Sequence, residues 1–333
     1  MPTRLAINGF GRIGRLILRA LIEQDRDDLE VVALNDLGPV EHNAHLLRFD
    51  SVHGRFPGTV TTSETTLDAG RGPIRVSAER DPAALDLSDV DLVLDCTGLF
   101  KEAEKARVYL ERGARRVLIS SPARGADRTI VYGVNHDSLE PSDTIISNAS
   151  CTTNCLAPVA QVLHAAVGIT RGFMTTVHAY TGDQPTLDRN HSDLYRARAA
   201  ALSMVPTSTG AANAVGLVLP ELAGKLDGVA LRVPTPNVSA VDLTFNTARP
   251  TSVAEINAVI TEAAEGRLKG ILATTGHKNV SIDFNHDPHS AVVPLDQTRV
   301  LEGQLARVLA WYDNEWAYAL RMLDTAGAIA RLG

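Results

Sequence analysis

The sequence predicts an α/β protein of two domains, and two observations support this prediction. The chain has 333 residues, which is more than a single hydrophobic core usually serves. Short β-branched segments alternate with helical segments up to about residue 150, whereas few helices separate the strands predicted after residue 151. The first part therefore predicts a mostly parallel sheet with crossover helices. The second predicts an α+β domain with a mostly antiparallel or mixed sheet.

The first part begins with a strand at "RLAINGF", a helix at "GRIGRLILRALIEQ" and a second strand at "LEVVALND". Further strands are predicted at "VDLVLDCTG", "RRVLIS", "TIVYGV" and "DTIISNAS", with a helix at "KEAEKARVYLERG". Strands separated by helices in this way form crossover units. Residues 1–150 are therefore expected to form one domain.

The second part starts with a helix at "CLAPVAQVLHAAVG". Long strands are then predicted at "GFMTTVHAYT", "DGVALRVPTPNVSAVDLTFNTA" and "NVSIDFNHD". The polar, irregular segment 182–210 predicts a loop of a length that is usually functional. The segment "EWAYALRMLDTAGAIARL" predicts a closing helix. We expect residues 151–314 to form the second domain and residues 315–333 to complete the first.

The composition limits the possible partners. A net charge of −7 argues against a non-specific nucleic-acid binder, which needs a basic face. Three cysteines are too few for a disulfide framework and fit a reducing compartment. The sequence contains no apolar run of signal-peptide or membrane-spanning length. We therefore expect a soluble cytoplasmic protein with neither a nucleic-acid nor a membrane partner.

Gly9, Gly11 and Gly14 form a G-x-G-x-x-G pattern where the first strand ends and the first helix opens. In a Rossmann domain these glycines allow a tight turn, the approach of a pyrophosphate and close packing of helix on strand. Asp36 ends the second strand, where a carboxylate accepts hydrogen bonds from a ribose 2′-hydroxyl and repels a 2′-phosphate. The pattern predicts a dinucleotide site that favours NAD over NADP.

Two cysteines, Cys151 and Cys155, lie four residues apart in "ISNASCTTNCLAP". A zinc site would need a second pair or nearby histidines, and a disulfide at a helix start in a reducing cell is disfavoured, so no metal site is predicted. The start of the helix places Cys151 at the positive end of the dipole, which predicts a lowered thiol pKa. Cys155 is expected to be a buried small hydrophobe. Pro158 predicts a bend or a frayed first turn in this helix.

His178 ends the strand "FMTTVH", where a base for the thiol would be expected. It is one of 10 histidines, however, and spacing alone leaves its role open.

Five segments in order, "NGFGRIGR", "ASCTTNCLAP", "STGAANAVGLVLPEL", "RVPTPNVS" and "YDNEW", resemble the phosphorylating glyceraldehyde-3-phosphate dehydrogenase family over essentially the whole chain. The resemblance implies an NAD-dependent oxidation of glyceraldehyde 3-phosphate, with inorganic phosphate as acyl acceptor, in glycolysis or gluconeogenesis. It implies that Cys151 is the nucleophile, which forms a thiohemiacetal and then a thioester, and that His178 is its base. It also implies a homotetramer.

By the same resemblance, Thr181 and Arg232 belong to the site for the substrate phosphate. The site for the attacking phosphate would contain Ser150, Thr152, Arg196, Thr209 and Gly210. Arg12 and Ile13 match the pyrophosphate turn, Arg80 the region of the adenosine and Ser120 the region of the nicotinamide. Asn314 matches the amide that binds the nicotinamide carboxamide, and Tyr318 is expected to pack nearby.

The sequence departs from the family pattern in two places. "AYALR" follows "YDNEW" where glycine, serine and asparagine are common, which weakens the expectation for Tyr318. Arg189 lies in a loop that, in this family, reaches a neighbouring subunit's adenosine, and it predicts minor use of NADP.

Two alternative functions stay open. Erythrose-4-phosphate dehydrogenases share "SNASCTTNC" and a segment close to "SIDFNHDPHSA", but they typically lack the S-T-G element present here at 208–210. An NAD-binding scaffold with a secondary, non-catalytic role is the other alternative.

Overall fold

The computed structural model describes residues 1–333, which form two compact units. The first unit contains residues 1–130, 136–149 and 319–333, and the second contains residues 131–135 and 150–318. None of the helices combines the length and apolar character that crossing a membrane requires.

The first unit is built on a nine-stranded sheet with the order β10-β11-β9-β8-β1-β2-β7-β6-β5. All neighbours from β10 to β7 pair in parallel, and only the β7-β6-β5 edge is antiparallel. The strands of this sheet are β1 Thr3–Asn8, β2 Leu29–Asn35, β5 Thr61–Thr62, β6 Thr66–Asp68, β7 Pro73–Ser77, β8 Leu92–Asp95, β9 Arg116–Ile119, β10 Arg128–Thr129 and β11 Ile145–Ser147. Two further strands, β3 Phe49–Asp50 and β4 Gly54–Arg55, pair with each other in a separate two-stranded sheet. The helices are α1 Arg12–Glu23, α2 Val40–Arg48 and α3 Ala103–Glu111.

Strand β1 lies in the middle of this sheet, with β2 on one side and β8 on the other. Along the chain, β2 and β7 are added on one side of β1, and β8, β9 and β11 are then added on its other side. The order therefore reverses beside β1, and ligands of open α/β sheets bind at the carboxyl ends of the strands at such a point. The predicted glycine turn follows β1 at this position.

The second unit is built on an eight-stranded mixed sheet with the order β13-β14-β12-β15-β19-β17-β16, and β18 pairs with β19. The β12-β14 and β16-β17 pairs are parallel and the other pairs are antiparallel. The strands are β12 Ile169–Ala179, β13 Val205–Ser208, β14 Leu226–Val233, β15 Ser239–Thr247, β16 Leu272–Thr275, β17 Ala291–Pro294, β18 Arg299–Leu301 and β19 Leu305–Tyr312. The helices are α4 Cys151–Val167, α5 Ala211–Val218 and α6 Val253–Glu265, and α7 spans Trp316–Ala330. The predicted mixed sheet is confirmed.

Three strand predictions were wrong in detail. "TIVYGV" contributes only the end of the two-residue strand β10, and residues 131–135 form a turn in which Val131 donates to the Asn135 side chain. "NVSIDFNHD" contains a 3₁₀ helix, Ser281–Phe284, because the Asp283 carboxylate accepts from the Val280 N–H and competes with strand formation. The long segment at 227–248 is interrupted by a turn after β14, since its two prolines lack the N–H groups a ladder requires.

Helix α4 runs without interruption through Pro158. The predicted frayed first turn is wrong, because the Ser150 hydroxyl accepts from the Thr153 N–H and the Asn154 N–H donates to the Ser150 carbonyl at 2.9 Å. These bonds close the first turn and fix the position of Cys151, the first residue of the helix.

Candidate active site

The glycine turn after β1 has three positions with three different surroundings. Gly9 has φ +89°, and a Cβ there would lie 2.8 Å from the Cys96 backbone. A Cβ on Gly14 would lie 2.2 Å from the Gly9 carbonyl oxygen, so α1 packs directly on the turn. Gly11, in contrast, faces open space, and no side chain caps the N-terminus of α1. A helix N-terminus open in this way suits a pyrophosphate.

A cavity of about 350 Å³ adjoins this turn. Gly9, Gly11, Asp36 and Arg80 all line it. The Asp36 carboxylate is held in place by the Phe10 N–H at 2.9 Å and the Gly38 N–H at 3.0 Å. Four residues predicted for the dinucleotide therefore meet at one cavity.

The other residues predicted for the cofactor in the first unit have their own positions. Arg12 and Ile13 are the first two residues of α1, and the Arg12 guanidinium pairs with Asp50 at 2.6 Å. Ser120 follows β9 and donates its N–H to the Asp95 carbonyl at 2.9 Å. Arg80 is exposed at its side chain.

A buried polar chain under the cavity escaped the sequence analysis. The Asn35 amide donates to Asn8 Oδ1 at 2.7 Å, Asn8 donates to the Tyr109 hydroxyl, and this hydroxyl donates to Asp95 Oδ2 at 2.6 Å. Burial is the main cause that raises the pKa of Asp95. Asparagines at the ends of β1 and β2 were the available signal, since buried amides require partners.

In the second unit, the sulfur of Cys151 lies 3.5 Å from His178 Nε2. Cys151 begins α4, and His178 is the tenth residue of β12, so the two meet although 27 residues separate them in the chain. His178 Nδ1 lies 2.6 Å from the Ala179 carbonyl. Because a carbonyl only accepts, Nδ1 carries the proton and Nε2 faces the thiol as an acceptor. The unprotonated nitrogen of the imidazole thus faces the thiol.

Burial, followed by the charge of Arg232, lowers the pKa of His178 to about 3. Burial also raises the pKa of the Cys151 thiol, although Arg232 and the hydrogen bonds from Thr152 lower it in part. The prediction of a lowered pKa for this thiol is therefore wrong, because the rise caused by desolvation is larger than the fall caused by the helix N-terminus. Cys155 is fully buried, as expected, and burial raises its thiol pKa well above the ordinary value.

A chain of polar side chains links the residues predicted for the two phosphates. Arg232 Nη1 donates to the Thr181 hydroxyl at 3.0 Å, and Thr181 donates to the Asp183 carboxylate. The other oxygen of Asp183 pairs with Arg196, whose Nε donates to Thr207 at 3.0 Å. Burial raises the pKa of Asp183, but Thr181 and Arg196 lower it overall. Asp183 and Thr207 were not predicted, and no sequence signal beyond their place in a polar loop pointed to them.

Two helix N-termini carry the other predicted anion ligands. Ser150 and Thr152 flank Cys151 at the start of α4, while Gly210 is the cap of α5. The Thr209 hydroxyl accepts from the Ala211 N–H at 3.2 Å, and α4 and α5 pack against each other. Both N-termini present the partial positive charge that anions seek.

Behind the thiol, the buried Thr152 hydroxyl lies 2.9 Å from the Tyr312 hydroxyl, which lies 3.0 Å from that of Thr176. The Tyr312 ring also meets the His178 ring edge-on at 6.0 Å between centroids. Sequence reasoning missed Tyr312, although it is the first letter of "YDNEW".

Asn314 and Tyr318, predicted for the nicotinamide side, are both buried. Asn314 Oδ1 accepts from the Ser239 hydroxyl at 2.7 Å. No group of three or more potential ligands is close enough to hold a metal ion.

The comparisons with known proteins agree with this chemistry. Residues 3–103 match the NAD binding domain of glyceraldehyde 3-phosphate dehydrogenase, and residues 150–314 match the C-terminal domain of the same enzyme family. The chain is 66% identical over 332 residues to a glyceraldehyde-3-phosphate dehydrogenase of Cereibacter sphaeroides, and 65% identical over 335 residues to one of Xanthobacter flavus, with complete coverage in both cases. A relative of the same name from Zymomonas mobilis is 56% identical over 335 residues, and the alignment covers 99% of each chain.

The fold and the site define an NAD-dependent dehydrogenase that carries a thiol–imidazole pair. The chain belongs to the glyceraldehyde-3-phosphate dehydrogenase family. The predictions of the family, of an α/β fold with a Rossmann domain, and of NAD as the cofactor are confirmed.

Proposed function

We propose that the protein oxidises glyceraldehyde 3-phosphate with NAD and inorganic phosphate to 1,3-bisphosphoglycerate, in glycolysis or gluconeogenesis. The observation that carries this proposal is the 3.5 Å contact between Cys151 Sγ and His178 Nε2 at the start of α4. The relatives from Cereibacter sphaeroides and Xanthobacter flavus are glyceraldehyde-3-phosphate dehydrogenases, which supports the choice of substrate.

In the proposed reaction, His178 Nε2 takes the thiol proton while the Cys151 sulfur bonds to the aldehyde carbon. His178 returns this proton to the former aldehyde oxygen, so that the thiohemiacetal carries a hydroxyl and His178 is neutral again. It then accepts the hydroxyl proton as the carbon loses a hydride and becomes a thioester. A phosphate oxygen attacks the thioester carbon, the carbon–sulfur bond breaks, and the acyl phosphate leaves. Cys151 returns as a thiolate, so that it is a nucleophile in the first half and a leaving group in the second.

The predicted anion ligands support two phosphate sites, one for the phosphate group of the substrate and one for inorganic phosphate. Arg232, whose Nη1 donates to Thr181 and to the Ala179 carbonyl, is held by two hydrogen bonds and supports the site for the substrate phosphate. We assign the attacking phosphate to Arg196 and to the starts of α4 and α5, with Ser150, Thr152, Thr209 and Gly210. Guanidinium, hydroxyl and N–H donors are the groups that phosphate oxygens require.

The residues around the glycine turn fit a dinucleotide, since Gly11 leaves room and α1 has no side-chain cap. Gly9, Gly11, Arg12, Ile13 and Gly14 would hold the pyrophosphate. Asp36 and Arg80 would face the adenosine half, and Ser120, Asn314 and Tyr318 would serve the nicotinamide half. When bound, NAD supplies the acceptor for the hydride.

We also propose a minor use of NADP. Asp36 lines the cavity and would repel a 2′-phosphate, whereas the exposed Arg189 would attract one. Equal kcat/KM values for NAD and NADP would show that Asp36 does not decide the preference. No detectable NADP turnover would make Arg189 an ordinary surface charge.

A homotetramer is the proposed assembly. Three apolar side chains on the outer face of the second sheet support it, because Phe173 is 48%, Val177 36% and Val229 44% exposed. An apolar sheet face of this kind favours association between copies.

A cytoplasmic location is proposed because Cys151 must stay reduced, and all three cysteines are unpaired. We assign NAD binding to residues 1–150 with 315–333, and substrate chemistry to residues 151–314.

NADH formation tests the proposal, with glyceraldehyde 3-phosphate or erythrose 4-phosphate as substrate and with or without inorganic phosphate. Fast, phosphate-dependent turnover of the three-carbon substrate is the expected result. Faster, phosphate-independent turnover of erythrose 4-phosphate would mean that water is the acyl acceptor. Cys151→Ser tests the scaffold alternative, because any cellular phenotype that survives this change does not depend on the dehydrogenase chemistry.

A further inference from the structure

The turn between β14 and β15 ends in a strained residue. Val238 has φ +67°, a left-handed conformation that is rare for a β-branched side chain. Its side chain is buried in a cluster with Phe284 and Val292, so packing holds the strained backbone in place. Strain of this kind persists where the surrounding structure needs a neighbouring group in one position. The next residue is Ser239.

Ser239 is only 1% exposed, and its hydroxyl connects two buried groups. It accepts from the Ala179 N–H at 3.0 Å and lies 2.7 Å from Asn314 Oδ1. Because a hydroxyl has one hydrogen and the Ala179 N–H can only donate, this hydrogen is directed at Asn314. The oxygen end of the Asn314 amide is therefore turned toward Ser239, and its NH₂ group is the end left to donate to a ligand.

The backbone of Ala179 extends this connection to the thiol side of the site. Its carbonyl, which belongs to the next peptide group, accepts from His178 Nδ1 at 2.6 Å and from Arg232 Nη1 at 3.0 Å. A shift of the Ala179 backbone would therefore move the acceptor that sets both the tautomer and the ring plane of His178.

We infer that Ser239 is a positioning residue that orients the Asn314 amide and anchors the backbone of Ala179. Through the Ala179 backbone, whose carbonyl accepts from His178 Nδ1, it also aims His178 Nε2 at Cys151. The inference rests on the proposed function, which assigns Asn314 to the nicotinamide and His178 to the thiol. The hydrogen bonds of the Ser239 hydroxyl go to Ala179 and Asn314 rather than to the thiol or the imidazole.

The test compares Ser239→Ala with Thr247→Ala, a matched control on the same strand. Thr247 is also buried, and its hydroxyl donates to the Arg249 carbonyl at 2.7 Å, with no bond to any residue of the site. Both variants lose one buried hydroxyl, and Thr247→Ala also loses a buried methyl group, so its loss of thermal stability should be at least as large as that of Ser239→Ala. Only Ser239→Ala should lower kcat, by at least tenfold, and raise the KM for NAD, by at least threefold.

A stereochemical readout separates positioning from stability. NAD deuterated at C4 of the nicotinamide reports which ring face accepts the hydride, and a loosened Asn314 amide should allow measurable transfer to the wrong face. Ser239→Cys, which fills the site with a slightly larger thiol that forms only weak hydrogen bonds, should show the same kinetic changes if Ser239→Ala does not fold. Wild-type kinetics and facial selectivity in a folded Ser239 variant would overturn the inference. Wild-type protein inactive on glyceraldehyde 3-phosphate would instead refute the proposed function.

Discussion

Gly11 and Gly14 differ in what a methyl group would meet, and alanine at each position tests the dinucleotide site. At Gly11 the added Cβ has no heavy atom within 4 Å. In Gly11→Ala, the loss of a glycine cap destabilises the folded protein, whereas the reduced freedom of the unfolded chain stabilises it. Because the two effects oppose each other, the free energy of unfolding should change by no more than about 1 kcal/mol. The methyl would nevertheless stand where the pyrophosphate approaches the N-terminus of α1. We expect the Kd for NAD to rise at least tenfold, which corresponds to about 1.4 kcal/mol.

At Gly14 the same methyl would lie 2.2 Å from the Gly9 carbonyl oxygen, where ordinary contact begins at 3.4 Å. The turn would have to move by roughly 1 Å, and overpacking of this size costs about 3 kcal/mol. We expect Gly14→Ala to unfold at a clearly lower temperature than Gly11→Ala, with or without cofactor.

Thermal unfolding with and without NAD, together with equilibrium titration of NAD, measures both effects. At a concentration 100 times the wild-type Kd, NAD should stabilise the wild type by about 2.7 kcal/mol. A tenfold weaker Gly11→Ala variant should gain only about 1.4 kcal/mol at the same concentration. Wild-type affinity in Gly11→Ala would refute the placement of the pyrophosphate, and wild-type stability in Gly14→Ala would refute the packing of α1 on the turn.

Three further substitutions test the second unit. Arg232→Gln removes a charge that lowers the pKa of Cys151, so the pH midpoint of alkylation by iodoacetamide in ligand-free protein should rise; a fall or no change would contradict this. Asp183→Asn removes the carboxylate that pairs with Arg196, and the KM for phosphate should fall about threefold or more; an increase would mean that Asp183 instead holds Arg196 in its binding position. Ser150→Ala removes the hydroxyl cap of α4 and should cost about 1 kcal/mol in thermal unfolding, whereas an unchanged melting temperature would show that the cap contributes little.

Two of the three errors in strand prediction share one physical cause. The segments "TIVYGV" and "NVSIDFNHD" both contain β-branched or aromatic residues, which favour strands when a neighbour offers backbone partners. In the first, the Asn135 side chain takes the Val131 N–H, and in the second Asp283 takes the Val280 N–H. Such local side-chain bonds end a strand without changing its apolar pattern.

The sequence by itself determined the strand–helix–strand unit at the start of the chain, its glycine turn and the place of Cys151 at the start of α4. These features depend on local periodicity, on glycine conformation and on capping, which neighbouring residues decide. Only the tertiary structure brought His178 to 3.5 Å from the thiol, selected its tautomer through Ala179, and placed Asp183 between Thr181 and Arg196. It also reversed the expected shift in the pKa of Cys151, because desolvation depends on every group that packs around a side chain, however distant in the chain.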